Sequence, residues 1–401
     1  MEEISIPPSP AAAGLRRGRH DVLLGKFTFK YAREGLFKVF LPVSPLTCAD
    51  HGQPSLNRKN MNPRKRVFIA LIQWIAISAL PAVAQADPIS ELRSVSVFKD
   101  ADLAKLTGGD VLATRGPAMR FSRGLSVESA FIVRAPVKTT VGLLQQWNPT
   151  RHPELKVYAN GDLAGRGPSE FQGLSSASSN SSVKAFVDAT ERLPGDASKL
   201  QLNLAEVKEY APGAGSEGGG IPAPVATFWS QVLAQRLKSF LSGGLSAQPA
   251  YQTTGANIVP EEEIAALLKE SGGAKSQFAP LISSTAIGGG RGSQGTLYWA
   301  LFDVEGQAAV SLDAFYAKPV GEGWQTADLG YYASGGFYAL VTFHQLWPVQ
   351  VNGSDATLVW RVDLTSAPAL SELRGVERLG SGAAMMREVQ KGIKAFLRDV
   401  R

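Results

Sequence analysis

The feature that most restricts the fold lies in the last hundred residues. Five strand-like stretches, 296–304, 308–317, 326–333, 337–349 and 356–364, are separated only by Glu305-Gly306, Pro319 to Gly323, Ser334-Gly335-Gly336 and Asn352-Gly353. Such short Gly/Pro/Asn-rich connections join neighbouring antiparallel strands. The pattern then changes period. Over 381–399, Met385, Val389, Ile393, Phe396 and Leu397 form one apolar stripe, with Lys391, Lys394 and Arg398 opposite. A sheet followed by a single long amphipathic helix buries its face against that helix. The expected class is α+β, with a curved antiparallel sheet gripping a long C-terminal helix.

Upstream, helical spacing follows Asp87 and includes 100–106, with Asp100 as N-cap and Gly108-Gly109 as the stop. Strands are expected at 110–114 and 127–134. Pro136 opens a helix carrying Val137, Val141 and Leu144, which Asn148-Pro149 ends. A short strand at 155–158 follows. From about 172 to 294 the composition shifts. Serines crowd 175–182 and glycines crowd 212–224 and 283–295. Between them lie helices at 183–193 and 225–241, a strand at 200–207, and a helix opened by Pro260-Glu261-Glu262-Glu263, whose acidic turn suits the positive end of its dipole. This segment reads as a helical insertion.

The step Phe131-Ile132-Val133-Arg134-Ala135-Pro136-Val137 resembles the opening strand and helix of the START/polyketide-cyclase-like (SRPBCC, helix-grip) superfamily. The meander with its terminal helix is similar to that superfamily as well. The resemblance covers about 110–160 and 296–401. It implies a deep cavity between sheet and helix, often for apolar ligands, and no fixed catalytic set.

A secretory pattern sits inside the chain. Arg64-Lys65-Arg66 precedes the apolar run 67–80, and Ala84-Gln85-Ala86 follows. Initiation at Met61 and cleavage between Ala86 and Asp87 are expected. Residues 1–60 then read as a disordered leader or mis-assigned upstream extension, 61–86 as the signal peptide, and 87–401 as a single α+β domain with its insertion. The alternative is a membrane anchor through 67–80, the only membrane contact foreseen. Pro81 interrupts that run well short of the roughly 20 residues a span needs. The expected location is secreted or periplasmic.

Of 41 Lys+Arg and 35 Asp+Glu, residues 1–86 carry 12 and 5, leaving 29 and 30 for the rest. The basic character belongs to the leader, so no electrostatic footprint for nucleic acid is left. Cys48 is the only cysteine, and only His152 and His344 lie beyond 86. That composition excludes a disulfide, a thiolate nucleophile and a zinc site of several His or Cys ligands in 87–401. Gly290 to Gly295 spells G-x-G-x-x-G, but a strand rather than a helix follows, so dinucleotide binding is not expected. No cofactor, metal or catalytic residue is assigned.

The candidate ligand-binding residues are His344, Arg361, Asp363, Asp313 and Asp303. His344 alternates with Tyr338, Leu340, Thr342 and Leu346 and reads as a core or cavity histidine. Arg361 and Asp363 share one strand face, read either as solvated or as the lining of a cavity, where Arg361 would meet an anionic headgroup. Asp303 and Asp313 sit on neighbouring strands, and a carboxylate pair of this kind would suit glycoside hydrolysis. His152 reads as a turn residue. The expected function is an exported, non-enzymatic binding protein for an apolar or lipid-like small molecule. A cofactor-free hydrolase and a structural or assembly component of the cell envelope are the alternatives.

Overall fold

The computed structural model describes residues 87–165, 167–213, 220–253, 255–291 and 295–400. The leader, the signal-like segment with Ala86, and parts of the glycine-rich stretches lie outside them. Asp87 caps the first helix, α1 (Pro88–Val95), by accepting from the Ile89 and Ser90 amides. The next helix, α2 (Leu103–Thr107), is capped by Asp102 rather than Asp100, and Gly108 stops it. Asp102 wins because its carboxylate reaches the Ala104 amide at 2.9 Å.

Eight strands form one antiparallel sheet: β1 (Leu112–Arg115), β2 (Gly124–Val133), β3 (Val157–Leu163), β4 (Thr296–Val304), β5 (Gln307–Val320), β6 (Gly323–Ala333), β7 (Ala339–Val351) and β8 (Ser354–Ser366). Their order is β1-β2-β8-β7-β6-β5-β4-β3. The meander is therefore closed on one side by β2 against β8 and extended on the other by β3 against β4. After β2, Pro136 opens α3 (Val137–Gln146), as its fixed φ favours.

The helical insertion, 164–295, connects β3 to β4. Its described residues include 3-10 segments (Pro168–Ser176, Gly244–Ala247 and Ala286–Gly288) and six helices: α4 (Ser181–Glu191), α5 (Leu204–Lys208), α6 (Ala223–Gly243), α7 (Pro260–Glu270), α8 (Gly272–Gln277) and α9 (Ala279–Ile282). The strand expected over 200–207 is instead an extended entry to α5. Asn203 and Glu206 form a reciprocal capping box there, which satisfies the amides a helix start leaves open. After β8 come α10 (Pro368–Glu372) and the long α11 (Gly375–Asp399).

The sheet divides two cores. On the inner face, Leu125, Val127, Phe131, Val359 and Leu346 pack with Met385, Val389, Ile393 and Phe396 of α11. On the outer face, α4, α6 and α7 lay a second core around Trp229, Phe186, Trp299 and Trp360. Phe240 of α6 stacks on Tyr331 at 3.7 Å, and Phe278 stacks on Phe343 at 4.7 Å. The insertion is thus a packed outer layer. The solvated face considered for Arg361 and Asp363 is not found: both are buried on the inner face, on the side of the sheet opposite the insertion. The result is an α+β helix-grip architecture: a curved sheet, a gripped C-terminal helix and a helical insertion behind the sheet.

Among the described residues no helix is long and apolar enough to cross a membrane, and no three His, Cys, Asp or Glu side chains converge as metal ligands.

Candidate functional site

Strand alternation puts Leu340, Thr342, His344 and Leu346 of β7 on the inner face, with Val359, Arg361, Asp363 and Thr365 of β8 beside them. Register then builds rows across the sheet. Ser129, Arg361, His344 and Thr326 face one another across β2, β8, β7 and β6. The next row holds Val127, Asp363, Thr342 and Asp328. The third runs Leu125, Thr365, Leu340, Gly330, Asp313 and Tyr298. A bulge between β5 and β6 inserts Tyr331. It sends Tyr331 and Tyr332 both to the outer core while returning Ala333 to the inner one.

Four of the five residues expected from sequence therefore meet on one buried face: His344, Arg361, Asp363 and Asp313. Asp303 does not join them. It lies on the outer face beneath α4, accepting from Ser182 and, at 3.3 Å, from Tyr158, with Lys156 at 3.7 Å. The Asp303/Asp313 pairing considered for glycoside hydrolysis is ruled out by geometry, since the sheet stands between them. The inner-face members that the sequence reading passed over are Ser129, Thr326, Asp328, Thr342 and Thr365. Thr342 shares the strand parity of His344, and Thr365 that of Arg361 and Asp363, while Ser129, Thr326 and Asp328 join the face only through register with β8 and β7.

The polar contacts on this face are specific. Arg361 donates from Nε and Nη2 to Asp363 at 2.8 and 2.7 Å, and Thr342 donates to Asp363 at 2.8 Å. The Tyr298 hydroxyl lies 2.7 and 2.8 Å from the two Asp328 oxygens. Ser311 donates to Asp313 Oδ2 at 2.6 Å. His344 Nδ1 is 3.1 Å from the Thr326 hydroxyl. Five enclosed atoms have no partner in the protein: Ser129 Oγ, Arg361 Nη1, His344 Nε2, Thr365 Oγ1 and Asp313 Oδ1. Buried polar atoms are nearly always satisfied, and leaving one bare costs about 1–3 kcal/mol. Five such atoms share this face.

Burial governs protonation here. It pushes the Asp328 carboxyl up to about 7, against the pull of Tyr298 and Arg361. Asp313 is raised by burial and then by Asp328. His344 is driven well below its usual range by burial and by Arg361, so it is neutral at physiological pH. An unfolded aspartate ionises near 4. Between about pH 4 and 7 the unfolded chain thus loses the Asp328 proton while the folded chain keeps it. That group's contribution is fully present below pH 4 and is lost as pH rises through about 7. Asp328→Asn should match the parent in urea melts at pH 4 and exceed it at pH 7. A constant difference between the two pH values would contradict the raised carboxyl.

A second cluster ties α11 down at its far end. Trp147 Nε1 donates to Asp399 Oδ2 at 2.7 Å, and His152 Nε2 approaches the same oxygen at 2.8 Å. His152, expected at a turn, is thus a clasp on the gripped helix.

The inner face and the gripped helix define a helix-grip fold. No family model matches the chain, and no curated protein matches it. Among solved structures, a START superfamily protein from Mycobacterium smegmatis is similar at 17% identity, over 32% of this chain and 83% of that one, with a TM-score of 0.20. The crystal structure of Ara h 8.0201 is similar at 13% identity, over 35% of this chain and 91% of that one, with a TM-score of 0.17. The START resemblance read from the sequence, over about 110–160 and 296–401, is a weak and partial one.

Proposed function

We propose that this chain is an exported, non-enzymatic binding protein for an apolar or lipid-like small molecule, held between the inner sheet face and α11. The observation that carries the reading is the set of five enclosed, unpartnered polar atoms among apolar side chains. Apolar surroundings such as Leu125, Val127, Phe131 and Leu346 supply burial for a ligand's body, and the polar atoms fix its orientation. His344, Arg361, Asp363 and Asp313 are the proposed contacts, with Ser129 and Thr365 added.

Native mass spectrometry of protein purified from its host should reveal a co-purified small molecule. Arg361→Trp would strand Asp363 without its cation, so Ser129→Phe is the better blocking change. It should remove the adduct, and because overpacking a buried site costs about 1–3 kcal/mol, the loss counts only on protein that urea melts show to be folded. Absence of any adduct on the parent would sink the binding reading. An adduct that appears as a cleaved product would turn it toward hydrolysis. Export is tested by N-terminal sequencing, where the expected first residue is Asp87. Recovery of peptides from residues 1–60 in the mature protein would overturn it.

A further inference from the structure

We infer that the cavity at the amino-terminal end of α11 binds a phosphate group, as a second site independent of the ligand reading above. The cavity measures about 250 Å³ and lies between the β1–β2 connection and the first turn of the helix. Arg115, Gly116, Ser126, Gly375, Arg378 and Leu379 are on its wall.

Positive charge gathers there without a counter-charge. Arg115 and Arg378 line the cavity, and Arg374 is the residue on which α11 begins. Among the described residues no carboxylate lies within ion-pair distance of any of the three, Glu377 of the same turn included. Burial, and then the like charges of Arg115 and Arg374, hold the Arg378 guanidinium below its usual range. Arg378 is committed to structure. It donates to the carbonyls of Ser122, Leu370 and Gly124 at 2.6, 2.9 and 2.7 Å. Arg374 likewise donates to the Leu373 carbonyl at 2.8 Å. Arg115 is half-buried and has no hydrogen-bond partner among the described residues. It is held in place all the same. Its side chain lies across α11 at Gly382, where a Cβ would come within 2.5 Å of Nε and 2.7 Å of Cδ. A glycine inside a helix weakens it relative to alanine. The helix thus gives up stability to seat an arginine that bonds to nothing in the protein.

Two further groups favour an anion. Ser126 Oγ is buried and unpartnered, on a residue of the cavity wall. Gly116 leaves that hydroxyl uncovered, since a Cβ there would collide with it. α11 is 25 residues long, no side chain caps its first amides, and its first residue, Gly375, is on the wall. The positive end of its dipole therefore borders the cavity. An open guanidinium fork, a hydroxyl and a helix start all seek acceptor oxygens with negative charge. A phosphate monoester brings about two charges and three acceptor oxygens, more than a carboxylate can offer to three unneutralised arginines. Leu379 and Val376 are 59% and 82% exposed on the same turn, so an apolar chain carried by the phosphate has a surface to cover.

Urea melts of the full-length protein in phosphate-free buffer, in added sodium phosphate, and in sodium chloride of equal ionic strength read binding as a rise in midpoint. Phosphate should raise the midpoint and chloride should not. Arg115→Gln should weaken phosphate binding at least about tenfold, as the loss of one charge-assisted hydrogen bond implies. In phosphate-free buffer it should leave the midpoint unchanged or higher, because a like charge is removed. Gly382→Ala should act in the same way by displacing Arg115. Equal midpoints in the two salts would overturn the site. So would a full phosphate response in Arg115→Gln, or a lowered phosphate-free midpoint in both variants, which would make Arg115 a packing residue. Calorimetric titration then identifies the source. Decyl phosphate binding at least about tenfold tighter than inorganic phosphate assigns the site to a lipid headgroup, and equal binding assigns it to the free anion. Neither result depends on the co-purified adduct, so the two sites stand or fall separately.

Discussion

Replacing Phe396 by alanine should destabilise the protein by about 3–5 kcal/mol, the range for emptying a large buried aromatic site. Phe396 is fully buried and meets the Trp147 ring edge-on at 5.9 Å. Removing it opens a hole between α11 and α3, where the clasp of His152 and Trp147 on Asp399 also sits. Lys394, two residues earlier, is exposed, and Lys394→Ala should change stability by no more than about 0.5 kcal/mol. Urea melts of the two variants against the parent give the comparison. Equal, small effects would mean that α11 is not docked, and the gripped-helix description would fail.

Arg236→Ala should have a comparable effect on the opposite side of the sheet. Arg236 of α6 is fully buried and donates from Nε and Nη2 to Glu206, each at 2.7 Å, and from Nη1 to the Pro249 carbonyl at 2.8 Å. Its guanidinium lies over the Tyr332 ring at 4.3 Å and near that of Tyr251 at 5.3 Å. Truncation leaves Glu206 buried without its counter-charge, which costs about 3–5 kcal/mol. The pair itself need not be a large net gain, because two charges were desolvated to make it. Arg236→Met combined with Glu206→Gln should therefore recover most of the loss. Gln keeps the acceptor that the Asn203 amide uses in the capping box. A double variant as unstable as the sum of the single changes would show that packing against the tyrosines, not the stranded carboxylate, sets the cost.

Much of this was legible in the residues. β4 to β8 follow from period-two patterning and their turns, and α11 from its stripe, because local sterics and burial both act over a few residues there. His344, Arg361, Asp363 and Asp313 were recognisable as unusual polar residues in apolar strands. Their common face was not, since it depends on register across four strands and on the bulge at Tyr331, which no local pattern announces. The exposure of Arg361 and Asp363 was equally out of reach. It is set on the inner face, where α11 packs beside Val359, so it depends on how a helix later in the chain docks. Asp303 was different, because its separation from Asp313 can be counted. The turn at Glu305-Gly306 pairs Asp303 with Ala308, and Asp313 lies five residues further along β5. An odd number of steps on a strand reverses the face.

The pairing of Leu163 with Leu297 carries a consequence for how the chain reaches this state. The two ends of the insertion leave and re-enter the sheet as direct neighbours, so the insertion closes on itself like a bag tied at the neck. Thermodynamically the knot is cheap, because closure entropy grows only with the logarithm of the enclosed length. Kinetically it is not, because β3 gains its partner only after everything between has collapsed to bring β4 within reach. The meander from β4 to β8 needs no such wait. Topology thereby predicts an order of folding, with the hairpins first, α11 docking on one side of them, and the edge strand β3 last, when the outer layer draws its own neck shut.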